Sequence, residues 1–293
     1  MKVEAGCILC IVQRALAEVK RATNDPKLQF KAMKKILDFL CKELDENAVP
    51  AVLGTKRDRL IREITGNPDP YKEIKKESNY RMLSLLPEIR KLVLDEPTEC
   101  LRFRKACLCA VVGNILEFDI PEHQIKFEDV KSMILSAEKH LAIDHIKRVY
   151  DIVKSSDLVL YLMDNAGEIV LDTVFIEQIK ALGVKVVAVV KESPVLNDAT
   201  MEDAIQVGLD KIADKVITTG SDAVGLLIDE CSEELMEYYR KADLVIAKGM
   251  GNFETLTEKR LKKPHVFLLH TKCSTVANFL KVDMKRNVVL IME

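Results

Sequence analysis

The feature that most constrains the fold is the alternation of short apolar runs with helical stretches from Leu158 to the end of the chain. The runs are continuously apolar, which is typical of strands buried on both faces of a parallel sheet. Because helical stretches separate successive runs, the sequence predicts an α/β fold with a parallel, doubly wound sheet. The predicted strands are Leu158–Met163, Val184–Val190, Lys215–Thr218, Leu244–Lys248, Val266–His270 and Val288–Met292.

The first half of the chain has a helical pattern instead. Apolar residues recur every three or four positions, as at Ile8 and Ile11, which places them on one face of a helix. A later helix in this half is predicted to break near Pro87, because proline disrupts a helix interior. Strand signals are few here. We therefore predict an all-helical bundle or cap domain over residues 1–153, followed by the α/β domain over residues 154–293.

Composition excludes several classes of protein. The net charge is only -2, from 44 basic and 46 acidic residues, which argues against a nucleic-acid binder that relies on a global basic field. No apolar run approaches the roughly 18 residues that a membrane span needs. The N-terminal segment lacks the apolar core of a signal peptide. We expect a cytoplasmic protein with neither a nucleic-acid nor a membrane partner.

Polar residues follow the predicted strands and suggest a metal site. Asp164 and Asn165 come directly after the first strand, and Asp198 lies beyond the second. Because the carboxyl ends of parallel strands meet at one edge of a sheet, we expect these side chains to lie close together. Carboxylate and amide oxygens are hard ligands that suit Mg²⁺, Mn²⁺ or a similar ion. The alternative is that they are turn and N-cap residues, which are common at strand–helix junctions.

Other strand ends suggest a phosphate site. Lys248 ends an apolar strand, and the glycines that follow at Gly249 and Gly251 allow the backbone to approach a ligand closely. A lysine in this position offers a point charge to a phosphate, although a lysine that only buries its stem at a sheet edge is the alternative. Hydroxyl and amide donors follow the third strand, at Thr219, Gly220 and Ser221.

Two familiar nucleotide motifs are missing. The sequence has no Walker loop, which disfavours an ordinary P-loop nucleoside triphosphatase. It also has no Gly-x-Gly-x-x-Gly motif after the first predicted strand, which disfavours a dinucleotide enzyme.

The ordered set of strand-end motifs resembles the DUF89 family, the metal-dependent damage-control phosphatases. The resemblance lies in Asp164–Glu168, Asn197–Thr200 and Lys248–Glu254, and it covers nearly the whole chain. Cys7 and Cys10 resemble the prokaryotic branch of the family, and the chain looks like an archaeal-type member. The resemblance implies a helical N-terminal domain beside a Rossmann-like three-layer α/β/α domain with a mostly parallel sheet.

The resemblance also implies roles for individual residues. Asp164, Asn165 and Asp198 match the metal ligands, and Lys248 matches the phosphate-binding lysine. Asp164, Asp198 and Lys248 are therefore the predicted catalytic residues. The remaining residues predicted to bind substrate or phosphate, or to line the pocket, are Glu168, Gly249, Asn252 and Glu254.

The activity that the resemblance implies is hydrolysis of phosphomonoesters of small metabolites, with Mg²⁺, Mn²⁺, Co²⁺ or Ni²⁺ as cofactor. We expect direct attack on phosphorus by a metal-bound water. A phospho-aspartate at Asp164 is the alternative chemistry, and it conflicts with metal ligation through both carboxylate oxygens. Two other functions stay open: carboxyl methylation by S-adenosylmethionine, and non-enzymatic binding of a phosphorylated metabolite.

Two further predictions concern the helical half. Asn114, on the fifth predicted helix, is expected to touch substrate in the cleft between the domains, the alternative being an ordinary buried amide. Cys7 and Cys10 share one helical face, because they are three residues apart. Whether they bind a metal, form a disulfide or only pack is left open.

Overall fold

A computed structural model describes residues 1–115 and 127–293, and the side chains of Phe127 and Glu128 lie outside that description. In the described residues, seven strands form one sheet in the order β1-β7-β6-β5-β2-β3-β4. All neighbouring strands are parallel except β6 and β7, which are antiparallel. The strands are β1 (Leu141–Asp144), β2 (Leu158–Leu162), β3 (Lys185–Val190), β4 (Lys215–Thr218), β5 (Leu244–Lys248), β6 (His265–His270) and β7 (Asn287–Met292).

Helices precede the sheet and alternate with its strands. Those before β1 are α1 (Ala5–Ala22), α2 (Pro26–Glu43), α3 (Pro50–Thr65), α4 (Lys72–Leu94), α5 (Glu99–Gly113) and α6 (Phe127–Ser136). Those that follow are α7 (Ile146–Lys154), α8 (Glu168–Ala181), α9 (Met201–Gln206), α10 (Leu209–Ile212), α11 (Glu233–Lys241), α12 (Gly249–Leu256) and α13 (Ser274–Leu280). Among the described helices, none is long and apolar enough to cross a membrane.

The core confirms an α/β fold with a mostly parallel sheet between two helical layers. Alternate residues of β2 point to opposite faces, because side chains alternate along a strand. Tyr161 packs into a cluster with α4, α5, α7 and α8, whereas Leu160 and Leu162 pack into a second cluster with α11, α12 and α13. A third cluster joins α1, α2 and α3.

Helix α8 shows how the sequence sets an element that positions the site. Gly167, with a φ of 78°, turns the chain out of the β2 loop and into the helix. Gly183, with a φ of 84°, follows the other end of the helix. Both glycines occupy the left-handed region of φ, where other residues are strained. Between them, Ile169, Val174 and Phe175 are buried, so α8 lies between the sheet and α5.

Two predictions about the first half are wrong. The half predicted to be all-helical contains a strand, β1, which adds to the sheet beside β7. This strand is too short for the periodicity to distinguish it from the surrounding helices. Pro87 does not break its helix: α4 is continuous from Lys72 to Leu94, with Pro87 inside it.

The domain boundary at residues 153 and 154 stays a prediction. Packing changes earlier in the chain, after α3. Helices α1 to α3 have a core of their own, whereas α4, α5 and α7 share a core with one face of the sheet. Helices α1 and α3 also pack near the carboxyl edge of the sheet, where α1 contacts α13 and α3 contacts α12.

Candidate functional site

The three predicted metal ligands lie side by side at the carboxyl edge of the sheet. The loop after β2 pairs with the loop after β3, since the backbone N–H of Ala199 donates to the carbonyl of Asp164 at 2.8 Å. An isolated antiparallel bridge joins Asn165 to Asp198. The backbone of two loops thus brings Asp164, Asn165 and Asp198 together, as the sequence predicts.

Asp164 is a buried carboxyl group with two other carboxyl groups close to it. Its Oδ2 accepts hydrogen bonds from the side-chain amides of Asn114 at 2.9 Å and Asn165 at 2.8 Å. Burial raises the pKa of Asp164 well above its ordinary value, and the carboxyl groups of Glu168 and Asp198 raise it further. A group with such a pKa favours a nearby positive charge.

Asp198 also has a raised pKa. Burial raises its pKa to about 6, although Lys191 lies 3.5 Å away and opposes the rise. Lys191 also donates to the carbonyl oxygen of Gly225 at 2.5 Å, so its charge is shared.

Gly249 allows strand β5 to approach Asp164. A Cβ atom at this position would lie 1.9 Å from Oδ2 of Asp164, and the φ of Gly249 is 74°. Any other residue would both clash with the carboxylate and strain the backbone. The role of Gly249 in this structure is thus to make room for Asp164.

Lys248 lies in a closed ion cluster beneath the edge. Its ammonium group donates to the carbonyl of Ala110 at 2.7 Å and to Glu168 and Asp172, each at 2.6 Å. These contacts use the three N–H donors of the group, and the side chain is fully buried. Burial lowers the pKa of Lys248, but Asp172 and Glu168 outweigh it and the net shift is upward.

In the described part of the chain, the two carboxyl groups of this cluster are paired to different extents: Glu168 has partners on both oxygens, whereas Asp172 has them on one. Burial raises the pKa of Glu168, but Lys248 and the amides of Asn165 and Asn114 outweigh it, so the pKa lies below its ordinary value. Asp172 accepts hydrogen bonds from Tyr161 at 2.7 Å and from Lys248 through Oδ1. Its Oδ2 has no partner among the described residues, and burial raises its pKa to about 6.

A cavity of about 480 Å³ opens above the edge, and we call it the outer lobe. One side carries Asn114, Asp164, Asn165 and Asp198. The cationic residues that line it are Arg14, Arg21, Arg57 and Lys272. Because α1 and α3 supply the three arginines, the helical half places positive charge opposite the acidic edge of the sheet.

A smaller cavity of about 210 Å³, the inner lobe, shares Arg14, Arg57 and Lys272 with the outer lobe. Glu254 lines it, and burial raises the pKa of that carboxyl group to about 7, although Arg14 opposes the rise. The inner lobe is also lined by apolar residues and thiols, among them Ile11, Pro50, Met250, Cys7, Cys10 and Cys273.

The cysteines are free thiols throughout the described residues. Cys7 and Cys10 form no disulfide with each other. No group of three or more His, Cys, Asp or Glu side chains in the described part of the chain is placed to hold a metal ion. Cys7 is half-buried and Cys10 is exposed, and the role of this pair stays a prediction.

Several predicted site residues are absent from the lining of both lobes, among them Thr219, Gly220, Ser221 and Asn252. The first three form a turn in which the hydroxyl of Thr219 donates to the carbonyl of Ser221 at 2.7 Å, and the hydroxyl of Ser221 donates to Glu230 at 2.6 Å. They follow β4, which is separated from β2 by β3. Asn252 is buried and donates to the carbonyls of Met163 at 3.2 Å and Lys248 at 2.8 Å.

The sequence reasoning missed the cationic wall. Lys272 follows β6, so its position at a strand end was an available signal. Arg14, Arg21 and Arg57 lie within helices α1 and α3, where an arginine is ordinarily a solvated residue. Only the packing of the helical half on the sheet shows that these side chains reach the cavity.

Fold and site together define a class: an α/β protein whose acidic and amide side chains converge at parallel strand ends, beneath a helical cap that supplies cations. The family model of the damage-control phosphatase ARMT1-like domain matches residues 3–288. The chain belongs to this family, which confirms the resemblance seen in the sequence.

Similar proteins cover the whole chain. It is 34% identical to a damage-control phosphatase of Archaeoglobus fulgidus, over 100% of both chains. It is 38% identical to a damage-control phosphatase of Pyrococcus horikoshii, over 96% of this chain and 95% of the relative. The crystal structure of a DUF89 family protein from Pyrococcus horikoshii matches 99% of each chain, with a TM-score of 0.90 and 34% identity.

Proposed function

We propose that this protein is a divalent-metal-dependent phosphatase that hydrolyses phosphomonoesters of small metabolites. The observation that carries the proposal is the outer lobe, where Asp164, Asn165 and Asp198 face a wall of cationic side chains. A divalent cation fits the acidic side, and phosphate oxygens fit the cationic side. The names of the archaeal relatives support the same reaction.

The donor set fits a hard cation. The hard ligands are two carboxylates and one amide oxygen, from Asp164, Asp198 and Asn165. Three ligands are too few to fill the coordination sphere of the ion, so positions remain for substrate and water. Burial raises the pKa of both Asp164 and Asp198, and a bound cation would stabilise their ionised forms. When bound, a cation such as Mg²⁺, Mn²⁺, Co²⁺ or Ni²⁺ polarises the phosphoryl group and activates water.

The residues of the chain then have separate tasks. Asn114 and Asn165 hold Oδ2 of Asp164 through their amide groups. Lys272, Arg14 and the other cationic residues of the outer lobe bind phosphate oxygens and stabilise the charge that develops on them.

We assign Lys248 a positioning role rather than direct phosphate contact. Its donors are all used inside the closed cluster, and its side chain has no exposed surface. By fixing Glu168, which in turn accepts from Asn114 and Asn165, it holds the amides that orient Asp164. We infer direct attack of water on phosphorus, because Oδ2 of Asp164 already accepts two amide hydrogen bonds and the same carboxylate would hold the cation, which would make it a poor nucleophile.

The test is hydrolysis of p-nitrophenyl phosphate by chelator-treated protein, with Mg²⁺, Mn²⁺, Co²⁺ and Ni²⁺ added back in turn. A panel of phosphorylated sugars, nucleotides and cofactors is assayed in parallel by release of orthophosphate. Metal-restored turnover that Asp164→Ala removes supports the proposal. Asp229→Ala, which alters an exposed carboxylate outside both lobes, is the matched control.

A folded protein without turnover on any substrate of the panel would contradict it. Methyl transfer and non-enzymatic binding then become the leading alternatives. Methyl transfer is tested by transfer from labelled S-adenosylmethionine to protein carboxylates. Non-enzymatic binding is tested by calorimetry with the same panel of phosphorylated metabolites.

A further inference from the structure

Arg57 is a buried cation at the junction of the two lobes. It lies on α3, is 2% exposed, and lines both the outer and the inner lobe. A buried arginine is costly unless it is paired, so its partner decides what it can do.

The partner is Glu18, on α1. Oε2 of Glu18 accepts from Nε of Arg57 at 3.1 Å and lies 3.0 Å from its Nη2. Glu18 is fully buried, and its other oxygen, Oε1, has no partner among the described residues. The ion pair thus lies inside the helical half, and it fixes one edge of the guanidinium.

The opposite edge of the guanidinium is open. An arginine has five N–H donors in a planar fork, and the contact with Glu18 involves Nε and Nη2. Within residues 1–115 and 127–293, Nη1 of Arg57 has no hydrogen-bond partner. Nη1 and the second hydrogen of Nη2 form a pair of donors that suits two oxygens of one phosphate or carboxylate.

Glu18 occupies only one edge of the guanidinium. Burial raises the pKa of Glu18, Arg57 opposes the rise, and Asp58 adds to it, so the ionised form of Glu18 depends on its pairing with Arg57. The Nη donors of the opposite edge remain available to an anion in the cavity.

We infer that Arg57 binds an anionic group of the substrate at the junction of the lobes, and that Glu18 is the positioning residue that aims its guanidinium. This inference rests on the proposed function, and it assigns the helical half a specific part of substrate binding. The ligand is an oxyanion that offers two oxygens to the two Nη donors, and under the proposed function it is the phosphoryl group of a phosphomonoester.

The experiment measures binding of inorganic orthophosphate by isothermal titration calorimetry, in the presence of Mn²⁺, together with KM and kcat for the best ester. Arg57→Lys keeps the charge and loses the fork, Arg57→Met loses both, and Glu18→Gln keeps an acceptor. We expect Arg57→Met to weaken orthophosphate binding about tenfold or more and to raise KM. Arg57→Lys should have a smaller effect on the same quantities.

A double-mutant cycle separates positioning from a structural role. If Glu18 acts through Arg57, Glu18→Gln weakens orthophosphate binding in the wild-type background about threefold and has no further effect in the Arg57→Lys background. Arg90→Met is the control, since Arg90 pairs with Glu177 away from both lobes and should leave binding unchanged.

Unchanged orthophosphate binding in folded Arg57→Met or Arg57→Lys overturns the inference, as does a Glu18→Gln variant that loses only thermal stability. The two proposals fail separately. A wild-type protein that binds orthophosphate through Arg57 but hydrolyses no ester contradicts the proposed function alone. Turnover with an unchanged KM in the Arg57 variants contradicts this inference alone.

Discussion

Two clusters of charged side chains lie next to each other at the carboxyl edge of the sheet, and their electrostatics differ. In the closed cluster, Glu168 and Asp172 share the ammonium group of Lys248, and all three side chains are buried. In the open cluster, Asp164 and Asp198 face the outer lobe, and Lys191 lies 3.5 Å from Asp198.

The comparison shows that burial alone does not decide what a carboxyl group does. Burial is the largest influence on the pKa of both Glu168 and Asp164. In Glu168, Lys248 outweighs the effect of burial, and the pKa falls below the ordinary value. In Asp164, other carboxyl groups reinforce it and the pKa rises. In the closed cluster two carboxyl groups share a buried ammonium group, which stabilises the edge, whereas the open cluster favours a cation from solution.

The largest effect is expected when the closed cluster loses its cation. Lys248→Met leaves Glu168 and Asp172 buried without a counterion, and breaking a buried pair in this way costs about 3–5 kcal/mol. The free energy of unfolding, measured by urea denaturation, should fall by that amount. Lys259→Met, which removes an exposed pair with Asp229, should change it by less than about 0.5 kcal/mol.

A Lys248→Met variant as stable as the wild type would contradict the division into closed and open clusters. Adding Glu168→Gln and Asp172→Asn to Lys248→Met tests the cause directly. These changes remove the unpaired charges, so part of the lost stability should return.

The second prediction concerns the open cluster, where activity and stability should move apart. Asp164→Asn removes a proposed metal ligand, so turnover should fall by about 100-fold or more. The same change removes a buried carboxyl group whose ionisation is unfavourable, so the free energy of unfolding of chelator-treated protein should stay equal or rise. A variant that keeps its turnover but loses stability would show that Asp164 is a structural residue.

The third prediction is that a divalent metal ion stabilises the folded protein, and that this stabilisation depends on the open cluster only. At 100 times its dissociation constant, a cation that binds only the folded state should raise the free energy of unfolding by about 2.7 kcal/mol. Asp198→Asn should reduce this gain, and Asp172→Asn should leave it unchanged. The readout is the urea midpoint with and without Mn²⁺, and an equal loss in both variants would contradict the comparison.

Much of the open cluster could be predicted from the sequence because it lies at strand ends. Strands β2 and β5 are continuous apolar runs, so their carboxyl ends, and hence Asp164 and Lys248, could be located to within a residue. The parallel sheet then brings the ends together whatever the details of packing. The same argument places Thr219 near the site, and this stays a prediction, since β4 is the last strand of the sheet and Thr219 lines neither lobe.

The closed cluster and the cationic wall depend on packing, which the sequence does not show. Nothing in the sequence indicates that Lys248 turns inward to the carbonyl of Ala110, since that contact exists only because α5 packs against α8 and the sheet. Arg57 likewise reaches the cavity only because α3 packs against α12. Strand β1 was missed because four residues provide too little periodicity.

The finest test of the comparison is the pH dependence of stability in chelator-treated protein. Asp172 in the closed cluster and Asp198 in the open one both have a pKa raised to about 6 by burial. Since the folded pKa exceeds the ordinary value of 3.8, the folded state binds more protons than the unfolded state between about pH 4 and pH 6. Their contribution to stability is therefore present below about pH 4 and is lost as the pH rises through 6.

Each of the variants Asp172→Asn and Asp198→Asn should flatten this fall, by at most about 3 kcal/mol across the window. Saturating Mn²⁺ separates the two residues, because a bound cation favours the ionised form of Asp198 and lowers its folded pKa. With metal, the fall that Asp198 causes should disappear and the fall that Asp172 causes should remain. The measurement is the urea midpoint from pH 4 to pH 8 with and without Mn²⁺. Mn²⁺ could instead reduce the fall that Asp172 causes as much as the fall that Asp198 causes. That result would mean that the cation also reaches the closed cluster, and that the two clusters act as one site.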